Sequence, residues 1–317
     1  MQVFEDITTC ACSIPDLVLT IGSFDGVHRG HQYVLDEVNR IARERGGSSG
    51  LMSLWPHPRA FFNPEDAPAQ LTSPTEKEQL LSTAGLDAYF VLPFDARIAR
   101  MDREEFLRHI VLKHCGAQCL VVGHDFTFGA GARGDFSYLS EVSIELGLDV
   151  VQLPPCSDSG GMRISSTEIR NGVRQGDMER VHALLGRPYR LTGTVVRGRG
   201  LGRGLGFPTA NIMPPEKLLP NFGIYGARVY WGDNQALGAV NIGVAPTLEH
   251  TSPMIEVHVL DVDTDLVGQE LSIDLFHRLR GEAKFPDLST LIAAIGADIV
   301  AVRDFFSAVD EAAQQPD

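Results

Sequence analysis

Residues 198–211 read GRGLGRGLGFPTAN. Glycine holds every second position from Gly198 to Gly206, with Arg199 and Arg203 between, before Phe207-Pro208-Thr209-Ala210-Asn211. Each glycine inside a helix costs about 1 kcal/mol relative to alanine, so the run is expected to be a loop and not a helix interior. In such a loop bare backbone N–H groups approach an anion closely, and nearby arginines match its charge. A merely flexible loop would carry Ser, Asn or Asp among its glycines. Here the chain returns abruptly to order, with Pro208 fixing the backbone and Thr209 offering a hydroxyl.

The order is glycines, hydroxyl, amide. Gly198, Gly202, Arg203, Gly206 and Pro208 are therefore candidates for cradling phosphates. The oxygens of Thr209 and Asn211 are hard ligands suited to a magnesium ion bridging those phosphates. No GK[ST] follows the glycines, so the stretch is not a Walker A loop.

The chain has 317 residues, enough for two domains of ordinary size, and 44% of them are hydrophobic. The formal net charge is −14. Residues 1–186 carry 16 basic against 25 acidic side chains, and residues 187–317 carry 11 against 16. Acidic character in both halves argues against a nucleic-acid partner. Against it, Arg197, Arg199 and Arg203 form a local positive island. The five cysteines, Cys10, Cys12, Cys115, Cys119 and Cys156, follow no disulfide or zinc spacing. They read as reduced thiols of a cytoplasmic protein. The N-terminus has no signal-peptide pattern and no apolar run is long enough to span a membrane, so no membrane partner is expected.

Upstream, Leu17–Ile21 reads as a short buried strand. It enters Gly22-Ser23-Phe24-Asp25-Gly26-Val27-His28-Arg29-Gly30-His31. A helix follows, with Val34, Leu35, Val38, Ile41 and Ala42 on one face and its end at Gly46-Gly47. Strand, glycine turn, helix is the entry of an α/β nucleotide-binding domain. His28 and His31, with Gly30 between them, are placed to face one anion beside the helix N-terminus. Further strands are expected at 51–55, 88–92, 119–122 and 147–153. Helices are expected at 76–84 and after Asp102, where Phe106, Leu107, Ile110 and Val111 point inward. The Gly123–Gly129 segment carries Asp125, Phe126 and Phe128, and its two Phe side chains read equally well as core plugs. Ile164-Ser165-Ser166-Thr167-Glu168-Ile169-Arg170 has Ser165 and Glu168 at capping-box spacing, so a helix starts there. Its hydroxyls and Arg170 make a second candidate cradle for triphosphate oxygens.

After Gly186-Arg187-Pro188 the pattern changes. Strands are expected at 189–196, 224–231, 236–242, 254–260 and 271–279 without helices between them, which suggests an antiparallel barrel. In Ile255-Glu256-Val257-His258-Val259 the apolar residues alternate, so Glu256 faces outward or into a barrel-mouth site. Leu288, Leu291, Ile292, Ile295 and Ile299 form one face of a terminal helix, with a frayed tail expected from Glu311.

Taken together, these stretches resemble known families. Residues 202–211 resemble the GRxLGFPTAN signature of riboflavin kinases. The E-V-H-x-x-D context of Glu256–Asp261, the Asn241-Ile242-Gly243 and Pro246-Thr247 block, and Arg280-Gly281-Glu282 with Lys284-Phe285 also resemble that family. HxGH at 28–31 and ISSTxIR at 164–170 resemble the nucleotidyltransferase superfamily. The fuller G-x-FDGVH-x-GH stretch, the Pro56-His57-Pro58 turn and the GxDFxFG segment resemble its FAD synthetase branch. Ser23 departs from the Asn usual there. The whole chain thus resembles bacterial bifunctional riboflavin kinase/FAD synthetases.

The resemblance implies a Rossmann-like α/β nucleotidyltransferase domain over 1–186 and a six-stranded antiparallel kinase barrel with a terminal helix over 187–317. It implies phosphorylation of riboflavin to FMN by ATP, then adenylylation of FMN to FAD with release of pyrophosphate. Glu256 would be the kinase base, with Thr209 and Asn211 on Mg²⁺ and Arg280 and Phe285 near the flavin. His28 and His31 would act in adenylylation. Gly22, Phe24, Asp25, Gly26, Gly30, Ser165, Ser166, Thr167 and Arg170 would lie about the nucleotide, and Asp125, Phe126 and Phe128 by the flavin. The implied partners are riboflavin, FMN, FAD and ATP. Another cytidylyl- or adenylyltransferase would leave the PTAN loop unexplained. A flavin-storing protein would be expected to have lost Glu256 or the histidine pair.

Overall fold

The computed structural model describes residues 1–7, 14–158, 160–198, 200–246 and 251–314. Of the residues singled out above, Cys10, Cys12, Arg199 and Thr247 lie outside these ranges. The chain divides into two compact units, Met1–Ser166 and Thr167–Asp317.

The first unit is built on six parallel strands. They are β1 (Gln2–Phe4), β2 (Leu17–Ile21), β3 (Ser48–Trp55), β4 (Ala88–Pro93), β5 (Ala117–Gly123) and β6 (Asp149–Leu153), in the spatial order β1-β4-β3-β2-β5-β6. Every residue of β2 is buried, because a central parallel strand is covered on both faces and has no polar side. The helices are α1 (Arg29–Arg45), α2 (Pro58–Phe62), α3 (Pro74–Thr83), α4 (Ala96–Arg100), α5 (Arg103–Glu105) and α6 (Phe136–Leu146). One core cluster includes Leu19, Phe90, Leu107, Leu120 and Leu139, and another Val18, Leu35, Val38, Leu51 and Val121.

Helix α1 begins and ends where its sequence indicates. His28 is its N-cap, and Gly46 closes it in the left-handed region at φ 66°, donating to Ala42 and Arg43. Two features differ from expectation. The segment after Asp102 is α-helical only over α5 and continues as a π-helix over Phe106–His114, closed by Cys115 N–H donating to Ile110 O at 3.1 Å. Its expected core side chains are buried all the same. Strand β1 has only three residues, too few to show a period, and is fixed by parallel pairing with β4.

In the second unit, α7 (Ser166–Gln175) runs in from the first, and α8 (Met178–Leu185) follows. Strands β7 (Tyr189–Val196), β8 (Ala210–Ile212), β9 (Gly223–Trp231), β10 (Asn234–Pro246), β11 (Thr251–Val259) and β12 (Glu270–Arg280) close a barrel in the order β10-β11-β8-β7-β12-β9. Every pairing is antiparallel. The helix within the glycine run, α9 (Leu201–Gly204), overturns the expectation of a purely non-helical loop. It is one turn long, so it carries the glycine penalty only briefly. The missing side chains allow a close approach: a Cβ on Gly202 would lie 2.3 Å from Phe207 O. The sixth strand, β8, overlaps the end of the PTAN motif, where Asn211 was read as a ligand and no strand was expected from the residue pattern. The last helix, α10 (Leu288–Gln314), continues past Glu311, where fraying was expected. Its Val302 and Phe306 pack with Leu260, Leu237 and Phe276 of the barrel unit. Cys115, Cys119 and Cys156 are free thiols.

Candidate active sites

The turn after β2 is held in an unusual backbone path. Phe24, Gly26 and Val27 all have positive φ, at 46°, 86° and 38°. Such a path costs on the order of 1 kcal/mol or more at each non-glycine residue and persists only when its surroundings fix it. Asp25 is 6% exposed, and its carboxylate accepts from Leu71 N (2.9 Å), Thr72 N (3.1 Å) and Thr72 Oγ1 (3.2 Å). Gly26 N donates to Thr72 Oγ1, and Ser166 Oγ donates to Asp25 O at 2.9 Å. Lys77, itself buried, donates from Nζ to Ser23 O at 2.9 Å. Burial pushes its ammonium below the ordinary 10.5, while Asp25 pulls the other way.

This clamped turn delivers the histidine pair. His28 Nδ1 accepts from His31 N at 3.2 Å. An accepting Nδ1 carries no proton, so Nε2–H is the ring's donor. The two rings stack with centroids 3.5 Å apart, and Phe24 covers the other side of His31 at 4.5 Å. Gly30 leaves this stack room, because a Cβ there would lie 3.2 Å from the His28 ring and press it by a few tenths of an ångström. A Cβ on Gly22 would lie 2.9 Å from the Phe24 ring. Ser165 is half-buried and Thr167 exposed, and Arg170 is buried on α7 within the second unit.

Asp125 and its neighbours separate. Asp125 is exposed and pairs with Arg163 at 2.6 Å. Partial burial pushes its carboxyl up, but the hydrogen bond and charge of Arg163 outweigh this and hold it below the ordinary range. Phe126 is half-buried and lines a cleft of about 530 Å³ with His124, Asp125, Thr127 and Gln152. Phe128 is buried in the core, stacked on Phe126 at 5.5 Å, with the Phe106 ring tilted against it at 5.7 Å.

The sequence reading passed over Lys77, Thr72 and the aromatic face of α2. Phe61 and Phe62 meet Phe94 edge to face, and Phe62 is 67% exposed. Two adjacent aromatics just before a polar, proline-bearing loop were the available signal.

The barrel site is set by register. Glu256 on β11 stands opposite Asn211 on β8 and opposite Asn241 on β10. Directly opposed residues of antiparallel strands share a face. The neighbouring row, Ile242, Ile255, Ile212 and Val195, is buried. That row fills the barrel, so Glu256, Asn211 and Asn241 face outward, each half-buried. The glycine run lies against them: a Cβ on Gly198 would fall 2.1 Å from Asn211 Nδ2. Gly200 and Gly206 have φ of 69° and 85°. Arg203 and Thr209 are exposed and Pro208 half-buried. The oxygens here, of the Thr209 hydroxyl, the Asn211 and Asn241 amides and the Glu256 carboxylate, are hard donors. Among the described residues no three His, Cys, Asp or Glu side chains gather as a metal cage. The set therefore fits an ion that takes most of its ligands from phosphate and water. Arg280 is committed to a bidentate pair with Asp298 of α10 at 2.9 and 2.7 Å and lies over the Phe285 ring. No described helix is long and apolar enough to cross a membrane.

Comparison with known proteins extends over both units. Residues 12–168 match the family model described as FAD synthetase, and residues 185–306 match that described as riboflavin kinase. The bifunctional riboflavin kinase/FMN adenylyltransferase of Escherichia coli K12 is 38% identical over 290 residues, covering 91% of this chain and 92% of that protein. The Haemophilus influenzae protein of the same name is 33% identical over 97% of this chain and all of its own length. A crystal structure titled as a macrolide-efflux protein from Streptococcus pneumoniae superposes with a TM-score of 0.88 at 27% identity, covering 95% of this chain and 98% of that one.

Proposed function

Since this chain belongs to the bifunctional riboflavin kinase/FMN adenylyltransferase family, we propose that its two active sites divide the work between the Glu256 row and the histidine pair. The enzyme makes FAD from riboflavin with ATP as co-substrate of both steps. We place the functional border after Gly186, which ends α8 in a left-handed conformation before β7 begins at Tyr189.

In the kinase, Glu256 takes the proton of the riboflavin 5′-hydroxyl. The freed oxygen bonds to the γ-phosphorus of ATP, the bond to the β-phosphate oxygen breaks, and ADP leaves. The register of Glu256 with Asn211 carries this reading. It sets one carboxylate directly beside the amides of Asn211 and Asn241. Thr209 and Asn211 would hold magnesium, which when bound offsets charge on the phosphates. Gly198, Gly202, Gly206, Pro208 and Arg203 shape and charge the phosphate loop. Arg280, locked by Asp298, positions Phe285 toward the flavin.

In adenylylation the FMN phosphate attacks the α-phosphorus of a second ATP and pyrophosphate leaves. The attacking phosphate is already ionised, so no strong base is required. His28 Nε2–H, His31, Ser165, Thr167 and Arg170 serve as donors to the triphosphate, and Ser166, whose hydroxyl is spent on Asp25 O, contributes through its backbone N–H. Asp25 acts by fixing the turn, with Gly22, Phe24, Gly26 and Gly30 admitting the stacked rings. Phe126 and Asp125, which line one cleft, offer the flavin an aromatic and polar wall, with Phe128 beneath, and the exposed Phe62 with Phe61 offers a further aromatic face. A cytoplasmic enzyme without nucleic-acid partners fits the −14 net charge.

Chromatography of flavins after incubation with riboflavin, ATP and Mg²⁺ tests the division. FMN should appear first and FAD after it. The variant His31→Ala should accumulate FMN, and an unchanged FAD yield from it would remove the histidine from the mechanism.

A further inference from the structure

We infer that His258 is a positioning residue for the kinase loop, gripping the main chain at Pro208 so that Thr209 and Asn211 are presented in fixed geometry. This rests on the reading of Thr209 and Asn211 given above.

The β8–β11 ladder pairs Ile212 with Ile255, Asn211 with Glu256 and Ala210 with Val257, and ends there. Continuing the register would set Thr209 opposite His258. The next residue back, Pro208, has no N–H to give a ladder. The main chain thus loses its strand partner at the point where Thr209 must be held. His258 takes over with its side chain: Nδ1 lies 2.8 Å from Pro208 O. The ring of Phe207 meets the same imidazole edge to face at 5.8 Å and 88°. One half-buried ring therefore fastens both residues that precede Thr209.

A carbonyl oxygen only accepts, so Nδ1 of His258 carries the proton. His258 follows Glu256 by two residues and shares its outward face. The proposed base and the anchor of the loop are thus set by one strand. Asp261, the last residue of the same motif, faces a different task. It adopts φ 61° and pairs with Arg303 of α10 at 2.8 Å.

The test compares His258→Phe, which keeps a ring for Phe207 but has no donor, with His258→Asn, whose side-chain amide restores a donor. FMN formation by His258→Phe should fall on the order of 100-fold, as displacement of a positioned ligand by about an ångström does. The KM for ATP should rise with it. His258→Asn should stay within about threefold of the parent, the scale of one modest hydrogen bond. Conversion of supplied FMN to FAD should be unchanged in both, reporting an intact chain. Nitrogen NMR of the unliganded full chain should find the His258 proton on Nδ1. Equal loss in both variants, wild-type activity in His258→Phe, or a proton on Nε2 would overturn the inference. Retained FMN formation by Thr209→Val and Asn211→Ala in parallel would instead overturn the site reading on which it rests.

Discussion

Glu256 stands directly opposite Asn211 across the antiparallel β8–β11 ladder, on the outward face of the barrel. A carboxylate and an amide so paired depend on register, because a one-residue slip of either strand turns its own residue inward. Glu256→Gln keeps shape and register and removes only the proton acceptor. FMN formation is expected to fall by about 10²–10⁴-fold, the usual worth of a general base. FAD formation from supplied FMN should persist. Equal loss of both activities in a folded variant would break the division of labour.

The glycines of the 198–206 run are not equivalent. At Gly198 a Cβ would fall 2.1 Å from the Asn211 amide, whereas at Gly204 it would meet nothing within 4 Å. Gly198→Ala should displace Asn211 and lower FMN formation on the order of 100-fold. Gly204→Ala should be neutral or stabilising by about 0.4–1 kcal/mol, since the residue lies in a helical turn. Steady-state FMN formation and thermal unfolding separate the two.

Asp25 is expected to act through the turn. Its replacement by Ala strips the acceptor from the amides of Leu71 and Thr72. Leaving buried donors unpaired costs about 1–3 kcal/mol each. Asp25→Ala should lower the melting temperature and abolish FAD formation, while FMN formation at a temperature below that transition persists. An unchanged melting temperature with lost FAD formation would mean that the carboxylate serves the nucleotide directly.

Tyr225 reports on the barrel core. Burial pushes its phenol up to about 12 from an ordinary 10, against the opposing pull of Arg278. The folded state thus holds the proton that the unfolded chain releases. Its contribution to stability is whole below pH 10 and is lost as the pH rises through about 12. An absorbance titration of tyrosinate should show a late step near that value which Tyr225→Phe removes. A titration identical in the two proteins would contradict it.

The sequence alone settled what is local. The turn Gly22–His31 announced itself because strand, glycine and helix cap are neighbours in the chain, and α1 starts and stops on its own capping residues. Consecutive strands after Tyr189 specified an antiparallel architecture because each carries its own alternation. Tertiary structure decided what each face meets. Alternation along β11 already separates Glu256 from the apolar face, but only pairing with β8 and β10 brings Asn211 and Asn241 beside it. Three residues of β8 have no period to read, so that strand exists through its partners. Asp25 shows the same limit: a carboxylate beside a glycine turn reads as facing a ligand, yet amides 46 and 47 positions away draw it inward. Phe126 and Phe128 are alike in sequence, and only packing buries the second in the core. Contacts between residues distant in the chain carry no local signature, and they are what aims a side chain.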